Sequence, residues 1–256
     1  MNHPFFIIEL KADFSLDDCI EFLNSVTEKG GKIFQSLYVA LPFFRLKEIT
    51  AAFPDSGITF GTSLINDASD EAFTKGIAGK MIKDAGGKFT LVGTSYERNR
   101  LQISEKQLKA KLKEAHKAGL KPIYVVGGGH EITEEELVKQ LELLKSSEVT
   151  EDAKHPTVIY EIDFKNFENY LPSGTELNES ANLVQKALET VFETSSEKFA
   201  VLAALPSDLI GFSSLIETLP FRGAFFTKSG TYPHSVHDET VKLLHVHCED
   251  EKESNI

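Results

Sequence analysis

A chain of 256 residues is long enough to bury one large core, and 41% apolar with 26% charged residues excludes an intrinsically disordered protein. The formal charge of −12 argues against nucleic acid and anionic membranes as partners, and it offers a phosphorylated ligand no long-range attraction. The two cysteines, Cys19 and Cys248, have neither paired nor zinc-ligating spacing, so both are expected as free thiols in a reducing compartment, with no metal and no cofactor implied.

In chain order, short apolar runs fall at Phe5–Leu10, Leu37–Leu41, Ile58–Gly61, Phe89–Gly93, Pro122–Val126, Thr157–Glu161, Phe199–Ala203 and Gly223–Phe226. Each is followed by a segment with helical patterning. Short continuous apolar runs suit parallel strands buried on both faces. Ser104-Glu-Lys-Gln107 and Thr133-Glu-Glu-Glu136 read as capping boxes that open helices, and Gly30 and Gly119 suit helix ends before strands. No linker interrupts the series. The rhythm predicts an α/β protein, a single-domain (β/α)8 barrel over residues 1–248, with a charged tail at 249–256. An open doubly wound sheet would share the alternation, but no GxGxxG or Walker pattern follows the first strand. No basic region precedes the apolar run Phe5–Ile8 and no apolar stretch reaches membrane-spanning length, so a cytoplasmic location is expected. In such a barrel the chemistry sits at the C-terminal ends of the strands.

The stretch from Gly61-Thr-Ser-Leu-Ile-Asn66 through Ala72-Phe-Thr74 to Leu91-Val-Gly-Thr-Ser95 resembles, without a gap, the third and fourth units of triosephosphate isomerase. Val39-Ala-Leu-Pro-Phe43 is similar to that family's Val-Ala-Pro-Pro-Phe, and Ile159-Tyr-Glu161 to its Ala-Tyr-Glu. The resemblance is good from about residue 5 to 161; beyond it the βα rhythm persists. It implies the (β/α)8 fold, a small-molecule substrate and a homodimer. It also implies roles: Glu161 as the base that shuttles a proton between adjacent carbons, Lys11 as the cation at the substrate's oxygens, and Ser95 beside the electrophile. Thr74 falls at the tip of a loop, Asn66–Gly76, that reaches the partner subunit.

Departures from the family's pattern are equally specific. Thr94 replaces its electrophilic histidine, Glu9 an asparagine, and Tyr96 a glutamate that pairs with the lysine. Ala203-Ala-Leu-Pro-Ser207 replaces a Gly-rich phosphate turn, and Thr227-Lys-Ser-Gly230 replaces paired glycines. Ile162-Asp-Phe-Lys-Asn-Phe replaces the hinge of a closing lid. Backbone N–H groups in glycine turns grip phosphate, and Leu205-Pro206 supplies one fewer. Ser207, Lys228 and Ser229 could rebuild an anion site.

Each feature also has a plainer reading. Glu161 could be a solvated strand-end acid, Thr94 a polar strand-end residue, and Lys11 a salt-bridge partner of Glu9, Glu97 or Glu161. Gly127-Gly-Gly-His130 could cradle phosphate but suits a flexible turn better. His234, His237, His245 and His247 have metal-compatible spacings but fit a solvated helix face. Three functions stay open: a diverged isomerase of reduced activity, a non-catalytic barrel with a binding or structural role, and a proton-transfer enzyme acting on another carbonyl compound.

Overall fold

The computed structural model describes residues 5–27, 37–67, 76–128, 132–149, 157–162, 173–196, 199–205 and 221–228. Eight strands are present: β1 (Phe5–Leu10), β2 (Leu37–Ala40), β3 (Thr59–Thr62), β4 (Phe89–Val92), β5 (Lys121–Gly127), β6 (Thr157–Glu161), β7 (Ala200–Leu205) and β8 (Gly223–Lys228). All are parallel to their neighbours, and β8 pairs with β1 to close the barrel. The described helices are α1 (Leu16–Thr27), α2 (Phe43–Ala52), α3 (Gly79–Asp84), α4 (Glu105–Lys117), α5 (Glu134–Ser146) and α6 (Gly174–Phe192). This is the (β/α)8 barrel expected from the rhythm of the sequence.

Strand side chains alternate between two cores. Ile7, Ala40, Phe89, Leu91, Ile123, Val125, Ile159, Leu202 and Phe225 pack together inside the barrel. Their neighbours Phe6, Ile8, Val92, Tyr124, Val126, Val158 and Phe226 face the other way and pack with helix residues such as Leu23, Leu112 and Leu188. Burial on both faces explains why the strands read as unbroken apolar runs.

Both expected capping boxes are present: Ser104 with Gln107 at α4, and Thr133 with Glu136 at α5. A third, Ser173 with Glu176, opens α6. Gly119, just past α4, has φ +70°, the left-handed conformation that ends a helix before a strand.

Four strands extend past their expected C-terminal ends, β3 and β5 by one residue each and β7 and β8 by two. β7 continues through Leu205, where a turn was anticipated from Ala203, and β8 reaches Lys228 rather than Phe226. The added β8 residues pair with β1, Glu9 opposite Thr227 and Leu10 opposite Lys228, so ladder hydrogen bonding outweighs the loss of apolar character. Cys19 is a buried free thiol whose pKa burial pushes up to about 11. No described helix is long and apolar enough to cross a membrane. Gly30, Cys248, the four C-terminal histidines and the tail 249–256 lie outside the described residues.

Candidate active site

The period-2 alternation of the strands builds the barrel mouth. Glu9 stands two residues beyond Ile7, Gly127 beyond Val125, Glu161 beyond Ile159 and Thr227 beyond Phe225. Each therefore shares the inward face of its strand with a residue of the interior core. The register brings the four together in pairs, Gly127 opposite Glu161 and Glu9 opposite Thr227.

Glu161 ends β6 with its carboxylate largely buried. Its Oε2 accepts the backbone N–H of Ser95 at 2.7 Å, and the Ser95 hydroxyl also bonds to it. Burial raises its pKa above the ordinary carboxylate value; the Ser95 hydrogen bonds and the charge of Arg98 oppose that rise, and the charge of Glu9 adds to it. A carboxylate shifted toward neutrality and oriented by directional hydrogen bonds has the properties of a general base.

Gly128 fixes where that carboxylate can lie. Its φ is +72°, and a Cβ built on it would stand 2.6 Å from Glu161 Oε2 and 2.5 Å from Ser95 Cβ. Its own N–H donates to the Glu161 backbone oxygen at 2.9 Å. The first half of Gly127-Gly-Gly-His130 is thus a close backbone approach to the carboxylate, while Gly129 and His130 lie outside the described residues.

Lys11 and Glu9 form an ion pair at 2.7 Å, and the hydroxyl of Thr227 donates to the same Glu9 oxygen at 3.2 Å. Of the three partners the sequence allowed for Lys11, the structure supplies Glu9. Glu97 is engaged elsewhere: one carboxylate oxygen binds Lys111 at 2.6 Å and the other accepts the N–H of Gly93 at 2.7 Å, all buried. Tyr96, which takes the glutamate's place in the family pattern, is 61% exposed. It begins a single π-helical turn, Tyr96–Arg100. Thr94 sits at the top of that turn, where its Oγ1 accepts the N–H of Glu97 at 3.2 Å.

Arg98 carries no signal in the sequence, yet it lies beside the site. Its guanidinium donates to the carbonyls of Val125 at 2.8 Å and Gly127 at 3.2 Å. Burial pulls its pKa down, partly offset by Tyr124, Glu161 and Glu97. It also bonds to Tyr124, whose own pKa burial pushes up to about 12. These contacts tie the start of the π turn to the end of β5.

The structure thus brings together Glu9, Lys11, Thr94, Ser95 and Glu161. Thr74, Ser207 and Ser229 lie outside the described residues, as do residues 163–172, where a lid would begin. Lys228 is placed by its backbone alone, at the end of β8.

The comparisons bear on family and fold. The family profile described as triosephosphate isomerase matches residues 4–204, well past the region of best motif agreement. The triosephosphate isomerase of Protochlamydia amoebophila is 29% identical over 163 residues, 61% of this chain and 61% of that protein. That of Dictyoglomus thermophilum is 25% identical over 173 residues, 65% and 70% of the two chains. The first of these matches thus spans about three fifths of its relative's length. The crystal structure of triosephosphate isomerase from Bartonella henselae superposes with a TM-score of 0.68 at 18% identity, covering 95% of this chain and 98% of that one, and shares the fold. The profile covers most of the chain and the fold agrees with it: the chain belongs to the triosephosphate isomerase family.

Proposed function

We propose that this protein is a diverged aldose–ketose isomerase of the glyceraldehyde 3-phosphate/dihydroxyacetone phosphate type, with a much reduced rate on those compounds. The observation that carries the reading is Glu161, a buried carboxylate at the barrel mouth with a raised pKa, held by the Ser95 N–H at 2.7 Å. Glu161 removes a proton from one carbon and returns it to the next. Lys11, half-exposed at the mouth, faces the oxygen on which negative charge develops. Thr94 can donate a hydrogen bond to that oxygen but cannot relay a proton near neutral pH. Loss of a positioned acid or base removes about 10²–10⁴ in rate, about 3–5 kcal/mol of barrier. In the sequence, Leu205-Pro206-Ser207 and Lys228-Ser229-Gly230 depart from the family's glycine turns, so remote phosphate binding contributes less to orienting the substrate.

We propose the protein as a cytoplasmic homodimer. Large apolar side chains are exposed on three consecutive units at the mouth end: Phe44 after β2, Leu64 after β3, and Tyr96 and Leu101 after β4. The neck of the Asn66–Gly76 loop is pinned by Asn66 N–H donating to the Ile77 oxygen at 2.9 Å, and Thr74 would be its tip. Sedimentation should give a dimer at micromolar concentration that Leu64→Glu and Tyr96→Glu weaken; a wild-type monomer would remove this part of the reading.

The activity is tested by a coupled assay with glyceraldehyde 3-phosphate, run beside Glu161→Gln to exclude contaminating isomerase. Slow turnover abolished in the variant supports the reading. Turnover near the diffusional ceiling would show that Thr94 suffices. Equal rates in both proteins would leave a non-catalytic binding barrel as the better account.

A further inference from the structure

We infer that Glu9 tunes the barrel mouth for an uncharged hydroxy-carbonyl compound by neutralising Lys11 from within the protein. The inference rests on the reading that this mouth binds a small hydroxy-carbonyl compound, and it names the class.

The argument is one of placed charges. Glu9 lies on the inward face of β1, above Ile7, and is 8% exposed. Its Oε2 is shared by the Lys11 ammonium at 2.7 Å and the Thr227 hydroxyl at 3.2 Å. The Thr227 bond exists because β8 continues two residues beyond its apolar run and sets Thr227 opposite Glu9. The carboxylate is therefore built into the mouth, held by two strands rather than by a flexible chance contact. The Lys11 side chain is 48% exposed, and it already has a counter-ion. Arg98, a second cation beside the site among the described side chains, is spent on the Val125 and Gly127 carbonyls and on Tyr124. Glu161 adds a second carboxylate.

A phosphate dianion brought to this mouth gains a lysine whose charge is already balanced and faces two carboxylates. Like charges at contact distance in a partly buried site repel strongly. A neutral ligand meets the opposite situation. An ammonium has three N–H donors, and the bond to Glu9 uses one, leaving donors for a carbonyl oxygen. A ligand hydroxyl can donate to the Glu9 carboxylate. The ion pair thus offers a donor and an acceptor side by side, which matches adjacent carbonyl and hydroxyl groups.

The test uses two probes that differ only in phosphate, glycerol and glycerol 3-phosphate, titrated into the full chain while the amide signals of Lys11 and Ser95 are followed by NMR. The wild-type protein is expected to prefer glycerol 3-phosphate by less than about tenfold. Glu9→Gln, which keeps an acceptor for Thr227 but frees the lysine, is expected to raise that preference by about tenfold or more, mainly by tighter phosphate binding. A wild-type preference of about tenfold or more overturns the inference, as does an unchanged preference in Glu9→Gln, or no signal shift with either probe in either protein. The wild-type ratio decides by itself if Glu9→Gln does not fold. Binding is read without turnover, so an inert protein with the expected ratios leaves this inference standing while removing the isomerase reading, and an active one with strong phosphate preference does the reverse.

Discussion

Replacing Gly128 by alanine isolates the contact on which the site depends. The residue has φ +72°, and the added Cβ would lie 2.6 Å from Glu161 Oε2 and 2.5 Å from Ser95 Cβ. Two penalties follow. The left-handed backbone costs about 1–2 kcal/mol for a residue with a Cβ. The overlap with the carboxylate and with Ser95 costs roughly 1–3 kcal/mol more. Gly119→Ala serves as the control: its φ is +70°, but the nearest atom, Lys83 Nζ, is 3.7 Å away, so it carries the backbone strain alone. At about 2–4 °C per kcal/mol for a domain of this size, Gly119→Ala should lower Tm by about 2–8 °C and Gly128→Ala by distinctly more. Relieving the overlap needs roughly 1 Å of movement by Glu161, which breaks its bond to the Ser95 N–H. Losing that bond raises the Glu161 pKa further, visible in the carboxyl carbon's NMR titration, and a 1 Å misplacement of a base removes about 10² in proton-transfer rate. Calorimetry and titration on both variants check this. Equal Tm losses in the two variants, with an unaltered Glu161 titration in Gly128→Ala, would refute the claim that Gly128 seats the base.

Glu161→Gln should be at least as stable as the wild type at neutral pH, because the raised pKa means that the folded protein holds the ionised carboxylate at a cost. That cost is absent below the ordinary carboxylate value of 4.5 and appears as pH rises through the raised one, so the stability difference should shrink on acidification; a variant less stable at pH 7.5 than at pH 4.5, relative to wild type, would contradict the sign. The Lys111–Glu97 pair, at 2.6 Å with side chains 8% and 4% exposed, makes a separate prediction. Lys111→Met strands a buried carboxylate and should lose about 3–5 kcal/mol in denaturant unfolding, whereas adding Glu97→Gln should recover much of it. Loss below 1 kcal/mol, well under that estimate, would show the pair to be solvated.

The barrel was legible because its strands are buried on both faces and so stand out as apolar runs against amphipathic helices. Glu161 was legible as the polar end of such a run, whereas Glu9 was legible only as a departure from the family's asparagine and a partner for Lys11; its place in the mouth follows from Ile7 lying in the interior core. The polar end of β8 hid Thr227, since a strand boundary drawn where apolar character stops misses residues held by ladder bonds to β1. Arg98 was not legible, and Gly128 was legible only as part of a glycine run that reads as a flexible turn. Their roles depend on how β4, β5 and β6 are set side by side: Arg98 reaches carbonyls at positions 125 and 127, and Gly128 meets a carboxylate at 161. Nothing local in the sequence encodes those contacts. Lys111 likewise has no local signal of its buried partner Glu97.

The central claim is that Glu161 moves a proton at the carbon beside a carbonyl group. It is tested most directly by incubating dihydroxyacetone, and separately its phosphate, with the protein in deuterium oxide and following deuterium entering the carbon-bound positions by NMR. The account predicts exchange above the buffer rate with the wild-type protein, and exchange at the buffer rate with Glu161→Gln. Exchange that persists in Glu161→Gln, or none above buffer with either compound in the wild type, would contradict it.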